Sequence, residues 1–496
     1  MRTQALRQRQ PSFRRLAVRT AALSCCLGVC ACAVGPDYVA PEKPAAAGYA
    51  VDPLVAEVDA ANAQRFVMGR DVPFAWWELY QSPKLNALVE RALKANPVVP
   101  AADAALKQAQ EYANAQRGYF YPSVGLGLSG QRQKAAVDSG SPGLYSLFTS
   151  QLTLAYTPDL FGSNRRQVEA LQATADMQRF QNEATYVSLV DNLVAAVIQT
   201  ASLRDQIETT QALVDQNREA LRVLRDQVRF GYAMGIDLAT QEQATAQAEA
   251  ALPPLNKQYQ QTLDLVRALC GALPNENLDV DLHLADLHLP QDLPLSLPAD
   301  LLDQRPDVRA AAEQLHAASA KVGVAVAARI PQLTISGAAG GSANEFAQMF
   351  KPGGPMWAVL AGLTQPIFDG GTLLHEQRAA EQALMQARAQ YESAVIAAFQ
   401  NLADALHAIR ADADAMNSSL RAEQAAARIR DLTGAQQRSG YVNLLSLLQA
   451  QENYQQARLA QLQAQTNRLG DTAALFQALG GGWWNRSSRE RQGSES

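Results

Sequence analysis

Histidine and cysteine are scarce in this sequence, five of each among 496 residues, and their placement removes whole classes of function. Cys25, Cys26, Cys30 and Cys32 crowd the N-terminus and only Cys270 lies in the body, so no disulfide framework is available. Cys270 reads instead as a small apolar contact near the end of a helix. The spacing of His283 and His288 suggests a metal pair, yet they stand in an acidic, leucine- and proline-rich connector, Asp279 to Pro298, with no Cys and no sustained helix, while His316, His375 and His407 are scattered; metal binding is not expected. A basic surplus is also missing: 43 Lys plus Arg face 48 Asp plus Glu, which argues against nucleic acid as a partner. Beyond the first forty positions no uninterrupted apolar run reaches the roughly 18 residues of a membrane-spanning helix, which argues against a helical transporter. Gly125-Leu126-Gly127-Leu128-Ser129-Gly130 fits a dinucleotide fingerprint in form only, since it lies inside an alternating pattern with no helix opening after it. Neither an enzyme nor a cofactor or metal protein is expected.

What is present begins with an export signal. Arg2, Arg7, Arg9, Arg14, Arg15 and Arg19 occur in the first twenty residues without an acid, and a short apolar stretch, Ala21 to Val34, follows. Within it Val29-Cys30-Ala31-Cys32-Ala33 resembles a bacterial lipobox, with Cys32 the lipidated residue and residues 1–31 the signal peptide. Ala33 in place of Asp after the Cys implies, in lipoproteins, sorting to the outer membrane. Cleavage there removes six arginines and takes the formal charge from −5 to −11.

The body is written twice. Asn96-Pro97 and Arg305-Pro306, Tyr121-Pro122 and Ile330-Pro331, and Arg229-Phe230-Gly231-Tyr232 and Arg438-Ser439-Gly440-Tyr441 all share one offset in numbering; Phe161-Gly162 and Phe368-Asp369-Gly370 repeat at nearly the same spacing. The divisions expected are a lead segment 32–66, a first repeat 67–290, a second repeat 291–480 and a disordered tail 481–496. Each repeat holds an unusually long helix, because neither Gly nor Pro occurs between Gly162 and Gly231 or between Gly371 and Gly434. At about 1.5 Å per residue such a rod is about 100 Å long. Leu189, Leu193, Ala196, Thr200, Leu203, Ile207, Thr210, Val214, Asn217, Leu221, Leu224 and Val228 step alternately by four and three, the period of a left-handed coiled coil. Its core positions are as often small or polar as leucine, so packing is expected to be shallow. Pro253-Pro254 is expected to kink or start the shorter return helix.

Between the helices lie strand patterns. Val124, Leu126 and Leu128 alternate with small residues; Phe148, Leu152, Leu154 and Tyr156 alternate with Thr149, Gln151, Thr153 and Ala155; Leu333-Thr334-Ile335-Ser336 and Trp357, Val359, Ala361 and Leu363 repeat the theme. The joining loops are placed around Asp138 to Gly143 and Gly337 to Pro355. Strands of about ten residues suit an outer-membrane β-hairpin. Four cannot close a barrel, and an open edge in lipid leaves backbone groups unsatisfied at several kcal/mol each, so copies must pool their strands.

With Cys32-Ala33-Val34-Gly35-Pro36-Asp37-Tyr38, Ala75-Trp76-Trp77, Gln304-Arg305-Pro306-Asp307-Val308, Gln365-Pro366-Ile367-Phe368-Asp369-Gly370-Gly371 and the two helix-end motifs in order, the chain resembles outer-membrane efflux factors of the TolC superfamily, NodT-like lipoprotein branch, over essentially all of 32–480. The resemblance implies a mainly α protein with a small β part: a homotrimer whose long coiled-coil helices form an α-barrel and whose chains give four strands each to one shared twelve-stranded transmembrane barrel. It implies the exit duct of a tripartite pump in multidrug efflux, embedded in outer-membrane lipid, its partners a periplasmic adaptor and an inner-membrane pump, most often of the resistance-nodulation-division class. Docking to the adaptor is implied for the turns carrying Arg229, Gly231, Tyr232, Gly235 and Asp237, and Arg438, Gly440, Tyr441 and Asn443. Arg421, Glu423, Arg428, Arg430 and Asp431 precede the second turn, and a periplasmic gate is placed at Arg428 and Asp431. Two alternatives stay open: a lipid-anchored periplasmic coiled-coil scaffold without a pore, and the duct of a type I secretion system.

Overall fold

A computed structural model of the chain describes residues 33–42, 64–134, 144–296, 298–351 and 355–486. The signal peptide, Cys32, most of the lead segment and residues 487–496 of the expected tail lie outside the described residues, as does the loop from Asp138 to Gly143. In chain order the elements are β1 (Arg65–Met68), α1 (Pro83–Ala95), α2 (Val98–Arg117), β2 (Ser123–Gln133), β3 (Tyr145–Tyr156), α3 (Ser163–Arg229), α4 (Gly235–Leu269), β4 (Asp292–Leu295), α5 (Pro298–Gln304), α6 (Pro306–Ala327), β5 (Gln332–Ala343), β6 (Pro355–Thr364), α7 (Thr372–Arg438) and α8 (Leu444–Ala478).

The duplication governs this list. α3 and α7 are both 67 residues long, α4 and α8 both 35, and the members of each pair begin at the offset of the sequence repeat. A hydrogen bond repeats at the same spacing. Asn96, before α2, donates from Nδ2 to the carbonyl of Leu269 at 2.8 Å, and Arg305, before α6, donates from Nη1 to the carbonyl of Ala478 at 3.1 Å. In both repeats a polar side chain just ahead of a proline ties the start of one helix to the C-terminus of the return helix, whose last carbonyls lack intrahelical donors.

The second long helix runs through Gly434 to the expected turn at Arg438, because one Gly in a helix costs only about 1 kcal/mol. One expectation about breakers is corrected. Pro253-Pro254 lies inside α4, which starts at Gly235, so the pair does not start the return helix. Strand β5 likewise runs through Gly337 to Ala343, taking residues assigned to the loop. Residues 481–486, assigned to the tail, are packed: Trp483 Nε1 donates to the Gln304 carbonyl at 2.7 Å and Arg486 pairs with Glu183.

The chain divides into two compact units: residues 1–41, 107–177 and 311–391, and residues 42–106, 178–310 and 392–496. The first holds the four-stranded antiparallel sheet, ordered β2-β3-β5-β6. The second holds the main apolar core. Trp76 stacks on Phe476 at 5.1 Å between centroids, Tyr80 is fully buried with its hydroxyl donating to the Leu469 carbonyl at 2.8 Å, and Leu85, Leu193, Val266 and Leu293 are buried around them. β1 and β4, too short to be read from periodicity, pair in parallel beside this core. Burial of that many large side chains, at about 1.5–3 kcal/mol each, makes it the anchor of the helices that start and end there. The 18-residue window of α3 that is apolar enough to cross a membrane is mostly buried within the protein, as in a core helix.

Candidate functional site

The register of the sheet sorts its side chains into two faces. Val124 pairs with Leu154, Leu154 with Gly337 and Gly337 with Val359; in the next row Leu126 pairs with Leu152, Leu152 with Ala339 and Ala339 with Trp357. Because a strand alternates faces with period two, these rows share one face. Val124, Leu126, Trp357 and Val359 on it are exposed, Trp357 at 80%. The intervening rows, Gly125-Thr153-Ala338-Ala358 and Gly127-Gln151-Gly340-Met356, are small or polar except at the β6 edge. The sequence alternation thus becomes an apolar face opposite a face of small and polar groups.

Each strand-to-helix junction is fixed by an aspartate. Asp159 accepts from the backbone N–H of Asn164 and Arg165 at the start of α3 (3.1 and 2.8 Å), and Asp369 accepts from Gly371 and Leu373 at the start of α7 (2.8 and 2.9 Å). These bonds satisfy orphan amides and place negative charge at a positive helix end; they also hold the Asp369 carboxyl below its ordinary pKa. The Phe368-Asp369-Gly370 motif is therefore a helix cap on the structural side.

The turns at the other ends of α3 and α7 are near copies of one another. Gly231 and Gly440 both adopt φ +78°. The Tyr232 N–H bonds the Gln227 carbonyl at 2.8 Å and the Gly231 N–H bonds that of Val228 at 3.0 Å; Tyr441 to Gln436 and Gly440 to Gln437 repeat this at 2.9 and 3.1 Å, so each helix closes in a Schellman motif. The next helix opens on a polar cap: the Asp237 carboxylate accepts from the Met234 N–H at 3.2 Å, and Asn443 Oδ1 accepts from the Ser446 N–H at 2.9 Å. Arg229 lies over the Phe230 ring at 4.8 Å. What the turns present is apolar: Phe230, Tyr232, Met234, Ile236 and Tyr441 are all exposed, the two tyrosines by 83% and 84%.

The two residues placed at the periplasmic gate both lie on α7. Arg428 is exposed, and the partner of Asp431 is Arg430, with Nη2 at 2.8 Å. The Arg430 guanidinium also lies 4.1 Å over the Tyr454 ring of α8. Adjacent residues on a helix point about 100° apart, so the residue that meets α8 is set by helix phase, which a list of charges does not reveal.

Two polar clusters escaped the sequence reading. His283 Nδ1 lies 2.5 Å from Asp205 Oδ1, whose other oxygen accepts from the Leu284 N–H at 3.1 Å, and Glu208 lies 3.9 Å from the opposite ring nitrogen. These three side chains could come together on a metal ion. Yet the imidazole is already hydrogen-bonded through Nδ1 and Glu208 is shared with Arg204 at 3.4 Å, so the cluster is a tie between α3 and the connector. The other joins α7 to α8: Asp412, with Asp471 hydrogen-bonded to it and Arg468 nearby, has its carboxyl pushed up to about 7 by burial and by the neighbouring carboxylate. Its only sequence signal is an acid three residues after buried Ile409.

The comparisons with known proteins match this geometry. A model of the outer membrane efflux protein family matches the chain twice, over residues 88–272 and 297–481, two ranges set apart by the offset of the sequence repeat. The chain is 31% identical to the outer membrane protein OprJ of Pseudomonas aeruginosa over 95% of its own length and 97% of that protein. It is 30% identical to the pyoverdine export outer membrane protein OpmQ of Pseudomonas putida, covering 82% and 88%. Among solved structures, the outer-membrane channel OprN superposes with a TM-score of 0.81 at 26% identity, over 91% of this chain and all of that one. Two repeats of long and short helix with a strand pair apiece, matched along nearly their whole length, place the chain in the outer membrane efflux protein family, the outer-membrane channels of efflux pumps.

Proposed function

We propose that three copies of this chain join their sheets edge to edge into one closed twelve-stranded barrel, continued in the periplasm by a duct of the long helices. The observation that carries the reading is the sheet: four strands, with β2 and β6 at its edges among the described residues and one exposed apolar face. Such a sheet is stable in lipid only when every edge is paired. A periplasmic scaffold has no use for Trp357 and Val359 in solvent, and the pore reading is preferred for that reason. The duct is passive, with no catalysis and no cofactor of its own; a wettable wall lets solutes pass without holding them. Its cargo is a small molecule handed over by an inner-membrane pump through an adaptor, as the pyoverdine-export name of one relative illustrates for that relative. Anchorage is through lipid on Cys32. The turns at Gly231 and Gly440 supply the docking surface for the adaptor, since exposed aromatic side chains on rigid turns are what an interface core uses.

The test is chemical crosslinking of the protein in outer membranes, which should give a ladder ending at trimer; the purified trimer should conduct in a planar bilayer. A ladder ending at dimer, or a trimer without conductance, overturns the reading.

A further inference from the structure

The segment after Cys32 is held in the first unit more closely than side chains would allow. The Val34 N–H donates to the Phe161 carbonyl at 3.1 Å. Arg166 donates from Nε to the Val34 carbonyl at 3.2 Å and from Nη2 to Asp37 at 2.6 Å, and Tyr38 stacks on His316 with centroids 4.3 Å apart. Glycines floor the track. A Cβ on Gly162 would stand 2.6 Å from Ala33 Cβ, and one on Gly323 would stand 2.8 Å from Arg166 Cγ and 3.0 Å from the Val34 carbonyl oxygen. The segment is therefore placed from Ala33 onward.

Ala33 lies against Gly162, whose two chain neighbours line a cavity of about 660 Å³. Phe161 and Ser163, on either side of Gly162, and Val324, next to Gly323, all line it, with Tyr119, Leu160 and Leu333 adding apolar surface. Cys32 precedes Ala33 directly, and one trans peptide step spans only about 4 Å between Cα atoms. The cavity is not wholly apolar. Asn164 lines it, and its Nδ2 is buried without an acceptor among the described residues, while its Oδ1 is taken by Gln116 Nε2 at 2.6 Å.

We propose that this cavity seats a fatty acyl chain carried by Cys32 of the same chain. The proposal rests on the reading of Cys32 as a lipidated cysteine and adds where the lipid goes. At about 30 Å³ per water-sized group the space holds on the order of twenty such groups, enough for a long acyl chain. The chain's own lipid is the occupant because the glycine-floored track ends at Ala33, one residue from Cys32. The anchor is thereby fixed beside the strand-to-helix junction of α3.

Cells expressing the full-length protein are fed a palmitate bearing a diazirine, outer-membrane vesicles are photolysed, and labelled peptides are mapped. Label bound at Cys32 should crosslink to Tyr119, Phe161 or Leu333. Val324→Trp, or Ala115→Trp on the opposite wall should the first fail to assemble, should abolish those crosslinks while label per chain stays unchanged. Label at Cys32 that crosslinks only to bilayer lipid or to a neighbouring copy overturns the seat and leaves lipidation standing. Absence of label from Cys32 removes the lipidation reading itself. If an added diazirine phospholipid reaches the same residues in Cys32→Ala as in the wild type, the cavity serves bulk lipid and the proposal falls.

Discussion

Gly440 and Asp412 show how much can hang on one residue of a long helical hairpin. At φ +78° an L side chain is strained by about 1–2 kcal/mol, and asparagine is the residue other than glycine that tolerates the conformation best. Gly440→Ala should therefore weaken photocrosslinking from Tyr441 to a co-expressed adaptor, and Gly440→Asn should retain most of it; equal yields in both variants would separate the turn from docking. Asp412 offers a pH-dependent test. Its carboxyl titrates near 7 in the folded protein against an ordinary value of 3.8, so between those values the folded state holds the extra proton. Stability then falls as pH rises from about 4 to about 7 and is flat above, the reverse of a salt-bridged aspartate. Asp412→Asn should raise the melting temperature at pH 8 and leave it nearly unchanged at pH 4.5. A wild-type melting temperature that rises over this window in step with the variant would contradict the burial argument.

Among elements, the sheet and the α7–α8 pair make separable predictions. Trp357→Lys puts a charge on the apolar face, which costs about 2–4 kcal/mol at the middle of a membrane barrel. It should reduce heat-modifiable trimer on gels. Thr153→Lys lies in the small and polar rows, and should assemble normally while shifting ion selectivity in a bilayer. If the two behave alike, the assignment of faces is wrong. On α7, Arg430→Ala removes both the Asp431 pair and the contact with Tyr454; a gate in this stretch predicts that it raises passive conductance and that Arg428→Ala does not. Element types were largely legible in the sequence because they depend on local spacing: the heptad steps of α3 and the alternation of β2 and β3 are periodicities of a few residues. The short pair β1 and β4 was not, since strands so short carry no period and their pairing joins Arg65 to the distant Asp292. The turns at Gly231 and Gly440 were legible through Gly, Arg and Tyr, but the contact of Arg430 with Tyr454 was not, because it depends on which side of α7 meets α8.

For the molecule as a whole, equal lengths are the constraint. The two helical hairpins have the same 67 and 35 residues, so their turns are matched within the chain. Deleting one heptad from each helix of the first hairpin alone keeps the coiled-coil phase but mismatches the turns. Trimers should persist while adaptor capture is lost, and matched deletion in both hairpins should lose less. Unchanged capture by the mismatched protein would show that the two turns need not act together. The amino-acid sequence by itself determined the tandem duplication, the long rods and the alternating strands, because each follows from residue spacing along the backbone. Only the tertiary structure decided which strand rows share a face, that Arg430 meets Tyr454, that two aspartates meet between α7 and α8, and that Ala33 rests on Gly162 beside a cavity. Those facts join residues distant in sequence, and their geometry is set by register and helix phase once the chain has closed on itself.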